Sequence, residues 1–205
     1  MGNRLNVRIE GTRIKHSMGP VSIKMYDKFK MVLRIETTVN NPTFFKHYRE
    51  VVKRDGTCTR EYAHMKKNIY SLFDLQKLLR ASNYRYLEFV SSFEDDSAGL
   101  KALNKITQPT VEEGRSYKGI NFFSSEDLAL LRAVVRGEYN ISGFQNKHIK
   151  EQMPNKTSSQ ISRILKRLRT HGLVKKIRNS YKYYLTSLGR KAIAMGLKLR
   201  EIFII

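Results

Sequence analysis

The residues best able to do chemistry in this chain lie between positions 156 and 182. Lys156, Thr157, Ser158, Ser159, Ser162, Arg163, Lys166, Arg167 and Arg169 are followed by Lys175, Lys176, Arg178 and Lys182. Lysine ammonium groups neutralise phosphates and fix position without reading sequence. Arginine can also pair with guanine through two bonds, and serine can donate to or accept from several bases. A second set is Glu10, Tyr26 and Glu36: two carboxylates that could hold a metal between them and a phenol that could act as a nucleophile. Other candidates are poorer. Glu94, Asp95 and Asp96 are consecutive, and neighbouring side chains do not converge on one point. His148 and His171 lack a second ligand at a useful spacing and read as helix-surface or helix-end residues. Cys58 is the only cysteine, which excludes an internal disulfide and a multi-cysteine zinc site and fits a reducing compartment.

The elements that must position the first set can be read from spacing. Thr157 and Gln160 have the T-x-x-Q spacing of a capping box. Ile161, Ile164, Leu165 and Leu168 recur at i, i+3, i+4 and i+7, so they form one apolar stripe on a helix. The serines and cations fall on its other face, and Gly172 stands where a left-handed cap would end it. Two strand-like runs follow, 173–178 and 181–186, joined at Asn179 and Ser180. Upstream, Ser124 or Ser125 caps a helix containing Leu128, Leu131, Ala133, Val134 and Val135, closed by Gly137. Phe144 leads into a short helix over 146–153 that Pro154 stops. A last helix spans 188–204.

A cationic helix followed by a cationic hairpin resembles the recognition helix and wing of a winged helix-turn-helix domain of the MarR and ArsR type. The residues that carry this resemblance are 161–168, the H-G-L-V at 171–174, the Y-Y-L-T at 183–186 and the S-L-G-R at 187–190; it covers roughly 122–205. It implies that the helix enters the major groove by its N-terminal end. Ser158, Ser159, Ser162 and Arg163 would then face base edges. Lys156, Lys166, Arg167 and Arg169 would contact phosphates, and Lys175, Lys176, Arg178 and Lys182 would bring the wing to the backbone or minor groove. About six neutralised phosphates would give a slope of log K on log salt of roughly −5.

The N-terminal third alternates apolar and polar residues. Leu5, Val7 and Ile9, then Val21, Ile23 and Met25, then Leu33, Ile35, Thr37 and Val39 predict an antiparallel meander of three or four strands. Gly19 and Pro20 make a turn, and Asn40, Asn41 and Pro42 stop the last run. Arg8, Glu10, Lys24, Tyr26, Arg34 and Glu36 share the polar face, which reads either as a solvated sheet surface or as a phosphate or metal site. The K-M-Y-D-K at 24–28 with the L-R-I-E at 33–36 is similar to a pattern in rolling-circle replication initiators of plasmids and phages. That resemblance covers about 15 residues and implies acidic metal ligands with Mg²⁺ or Mn²⁺ and a DNA-attacking tyrosine. No H-x-H motif of that group occurs in the chain.

Between these regions, helices are expected at 65–79, at 83–93 with Ser82 as its cap, and near 100–106. Positions 108–121 hold Pro109, Gly114 and little periodicity, the best linker. The expected layout is an α+β domain over 1–107, that linker, and a winged helix over 122–205.

The bulk charge agrees with a polyanionic partner. The chain has 205 residues, 39 Lys+Arg and 18 Asp+Glu, a formal net charge of +21. Residues 121–205 contribute +12 of it and residues 1–120 the other +9, so both regions could touch one polyanion. No apolar run approaches the roughly 20 residues of a membrane span, and the N-terminus lacks a signal-peptide core. The expectation is a cytoplasmic, non-enzymatic protein that binds duplex DNA, acts as a regulator or as an accessory factor of replication or a mobile element, needs no cofactor and could form a homodimer. The alternatives are a metal-dependent DNA-nicking initiator and an RNA-binding ribonucleoprotein subunit.

Overall fold

The computed structural model describes residues 2–8, 11–29, 31–92 and 99–203. Glu10, and Glu94, Asp95 and Asp96, lie outside the described residues. The architecture is α+β, with an antiparallel meander at the N-terminus. The chain divides into two compact units, 1–87 with 140–142 and 88–139 with 143–205.

In the first unit the alternation is realised as four strands in sequence order: β1 (Gly2–Arg8), β2 (Gly11–Met18), β3 (Val21–Lys28) and β4 (Val32–Val39). The register sets Ile14 against Met25 and Met25 against Ile35, which keeps the apolar positions on one face. Met18, Val21 and Ile23 are buried there, together with Phe45, Met65 and Tyr86. A hairpin follows, β5 (Lys46–Val52) with β6 (Cys58–His64).

The helices expected at 65–79 and 83–93 are one element, α1 (Leu72–Ser91). Ser82 does not start a helix. Its hydroxyl bonds back to the Leu78 carbonyl at 2.9 Å, the other use to which a serine in a helical run is put. The His16 ring to the Tyr86 hydroxyl at 2.9 Å and the Thr37 hydroxyl to Asn83 at 2.6 Å tie the sheet to this helix.

The second unit begins inside α1. It continues with α2 (Gly99–Thr107) and then a hairpin, β7 (Thr110–Glu112) and β8 (Arg115–Tyr117). The stretch expected as a linker is therefore structured. Helices α3 (Ser125–Val134), α4 (Tyr139–Ser142, shared with the first unit), α5 (Asn146–Gln152) and α6 (Ser158–Thr170) come next. The short strands β9 (Val174–Lys176) and β10 (Tyr183–Leu185) precede α7 (Ser187–Phe203). Leu130, Leu131, Val134, Ile149, Ile161, Leu165, Leu168, Leu173 and Ile193 are buried. Phe144 exchanges both backbone bonds with Tyr183, at 2.9 and 2.8 Å, which adds a third short arm to β9 and β10. Gly143 makes that approach possible. Its φ is +69°, and a Cβ there would lie 2.7 Å from the Tyr183 carbonyl oxygen.

Candidate nucleic-acid interface

Helix α6 is fixed at both ends by local chemistry. The Gln160 N–H donates to the Thr157 hydroxyl at 3.3 Å, and the Thr157 N–H donates to the Gln160 side chain at 2.7 Å, the expected capping box. At the other end Gly172 has φ +73°. Its N–H reaches the Arg169 carbonyl at 2.9 Å, and that of Leu173 reaches Leu168 at 2.9 Å. This pair of bonds is a Schellman ending. Ile161, Leu165 and Leu168 are buried, so Ser159, Arg163, Lys166 and Thr170 occupy the opposite face at about 100° per residue. Asn146, at the start of α5, donates to the Ser158 carbonyl at 3.0 Å and to the Ser162 hydroxyl at 2.8 Å, which locks α5 to the N-terminal half of α6.

The cations of the expected interface separate into two groups. Arg163, Arg169, Lys175, Lys176 and Arg178 are exposed, as are Thr157, Ser158, Ser159 and Ser162. Lys156, Lys166 and Arg167 are partnered within the protein. Lys156 meets Glu126 at 2.5 Å, and Lys166 meets Glu112 at 2.8 Å and Glu113 at 3.5 Å. Arg167 makes a two-pronged pair with Asp127, both prongs 2.8 Å, and also donates to the carbonyls of Lys118 and Gly119. Its side chain is 17% exposed and that of Asp127 only 9%, so this pair is an internal clamp. Burial pushes the Asp127 carboxyl up, but the Arg167 bonds and the Asn121 N–H outweigh it and hold the group below its usual range. Lys182 is half-buried.

An open groove of about 710 Å³ runs beside the C-terminal end of α6. Arg169, Lys175, Lys176 and Arg178 line it, and Glu112 supplies a carboxylate at its edge. The turn between β9 and β10 carries Asn179 at φ +54°, and the Lys176 ammonium lies 6.0 Å from the exposed Tyr181 ring.

The second expected set is partly assembled. Tyr26 donates to Glu36 at 3.0 Å, and Arg34 pairs with the same carboxylate oxygen at 2.6 Å. The Tyr26 phenol is raised above its ordinary pKa, first by desolvation and then by the bond to Glu36. Among the described residues no three His, Cys, Asp or Glu side chains gather closely enough to hold a metal. No helix among them is long and apolar enough to cross a membrane.

Neither histidine is a free surface group. His171 is buried at the end of α6, with Nε2 3.0 Å from the Lys118 carbonyl. His148 accepts the Gln145 N–H at 3.2 Å, so it helps to cap α5. Burial depresses the pKa of both.

Sequence reasoning missed Glu112, Glu113 and Asn146. The first two lie at a Glu-Gly turn between strands too short to show a period, and Asn146 had no signal beyond its place at a helix start. Comparison with protein-family models, with curated proteins and with solved structures finds no match to this chain.

Proposed function

We propose that the second unit is a winged helix and that the protein binds duplex DNA through it, with α6 as the recognition helix and the β9–β10 turn as the wing. One observation carries this reading: Ser158, Ser159, Ser162 and Arg163 are exposed on the N-terminal half of α6, and Arg169, Lys175, Lys176 and Arg178 line a groove beside its C-terminal end. The succession α3, α5, α6, β9, β10 with the Phe144–Tyr183 bridge supports the winged-helix arrangement. In this arrangement Arg163 reads a base edge, and the groove cations hold the backbone.

The withdrawal of Lys156, Lys166 and Arg167 lowers the count of available phosphate contacts. With Arg169, Lys175, Lys176 and Arg178 remaining, log K falls against log salt with a slope of roughly −4 rather than −5. Titrating a labelled duplex with the full chain over a salt series measures this. A shallow slope, or affinity unchanged by Arg163→Ala with Lys176→Ala, refutes the reading. Structured RNA as competitor separates the two nucleic acids. The nicking alternative gains no support from Tyr26, whose raised pKa opposes the phenolate that attacks phosphorus.

A further inference from the structure

We propose that the β7–β8 hairpin tip occupies the C-terminal half of the recognition face as an internal stand-in for phosphate, and that duplex DNA displaces it. The inference rests on the duplex-binding reading above. Of the four outward residues of α6, Ser159 and Arg163 are open, whereas Lys166 and Thr170 are taken by one oxygen of Glu112, at 2.8 and 2.7 Å. A single anionic oxygen accepting from an ammonium and a hydroxyl is the arrangement a phosphate oxygen would adopt there. Glu113 adds a second carboxylate to Lys166, and Glu112 also borders the groove beside Arg169, Lys175 and Lys176.

The tip is built so that it can leave. Glu113 sits at φ +52° and Gly114 at +71°, a turn whose first central position favours Asn or Gly. Glutamate there gives up that preference and places a charge against α6 instead. The Glu113 side chain is 79% exposed and Val111 is 69% exposed, so the tip is not packed into the core. The exposed Glu113 pair holds weakly, and two three-residue strands are marginal on their own. The base of the hairpin is anchored: the Ile120 N–H reaches the Ile106 carbonyl at 2.8 Å, and His171 holds the Lys118 carbonyl. The tip can therefore swing while its root stays fixed.

The test compares the full chain with its Glu112→Gln, Glu113→Gln variant on the same duplex. Removing the competing ion pairs should tighten binding roughly fivefold at about 0.15 M salt, with the slope unchanged because Lys166 meets phosphate in both complexes. Equal affinity in a normally folded variant overturns the proposal and leaves duplex binding standing. If neither protein binds duplex, the functional reading fails first and takes this inference with it. Hydrogen exchange of the 110–117 amides in the unaltered protein gives an answer that does not depend on the variant folding. Faster exchange on saturation with duplex supports displacement; unchanged or slower exchange overturns it, including the case in which a merely less repulsive variant binds better.

Discussion

Arg163 and Arg167 are four positions apart on one helix and have opposite surroundings. Arg167 is enclosed by Asp127 and two carbonyls, whereas Arg163 is exposed beside three serines. Removing one partner of an enclosed ion pair leaves the other charge uncompensated. Arg167→Ala should therefore cost about 3 kcal/mol or more in urea unfolding. Arg163→Ala should change stability by less than about 0.5 kcal/mol and weaken duplex binding by about 1–3 kcal/mol, read by titration. Comparable destabilisation by both would refute the distinction. The histidines set a pH dependence. Burial depresses the folded pKa of His148 and His171, so the stability they confer is present above their unfolded value of about 6.5 and is lost as pH falls through the folded pKa. Thermal melts from pH 7.5 to about 5 should fall, and His148→Gln with His171→Gln should flatten that fall.

At the level of elements, Gly143 and Gly172, both at positive φ, differ in what a side chain would meet. A Cβ at Gly172 would lie 3.5 Å from Leu188, an ordinary contact, so Gly172→Ala should cost only the conformational term of about 1–2 kcal/mol. At Gly143 the same atom would press on the Tyr183 carbonyl and the Tyr184 ring. Gly143→Ala should therefore cost more than Gly172→Ala in parallel denaturant melts, and the reverse order would count against the Phe144–Tyr183 bridge as a structural joint. Elements of this kind differ in how far a sequence reveals them. The capping box, stripe and Gly172 of α6 are all local, so that helix was legible to within a residue of its observed ends. The meander was legible because a sheet with one buried face writes a period of two. Ser82 misled because a serine caps one helix or bonds back within another, and only the tertiary partner decides. The β7–β8 hairpin was hidden because three-residue strands carry too little periodicity. The pairing of Lys156, Lys166 and Arg167 was equally hidden, since their partners stand 30 to 54 positions away in the chain.

Across the whole molecule the charge surplus is large enough that attraction to polyanions precedes any specific contact. A net charge of +21 raises the encounter rate with nucleic acid at low salt, and screening at physiological ionic strength restricts it to about 8 Å. On the proposed reading, the cations on α6 and the β9–β10 turn account for what survives that screening. The most direct test is the equilibrium affinity of the full chain for duplex DNA measured between about 50 and 200 mM salt, alone and with Arg163→Ala and Lys176→Ala together. Duplex binding through α6 and the β9–β10 turn predicts a slope near −4 that becomes shallower by about 1 in the double variant, with affinity lost at every salt. A slope near zero, or two superimposable curves, would contradict it.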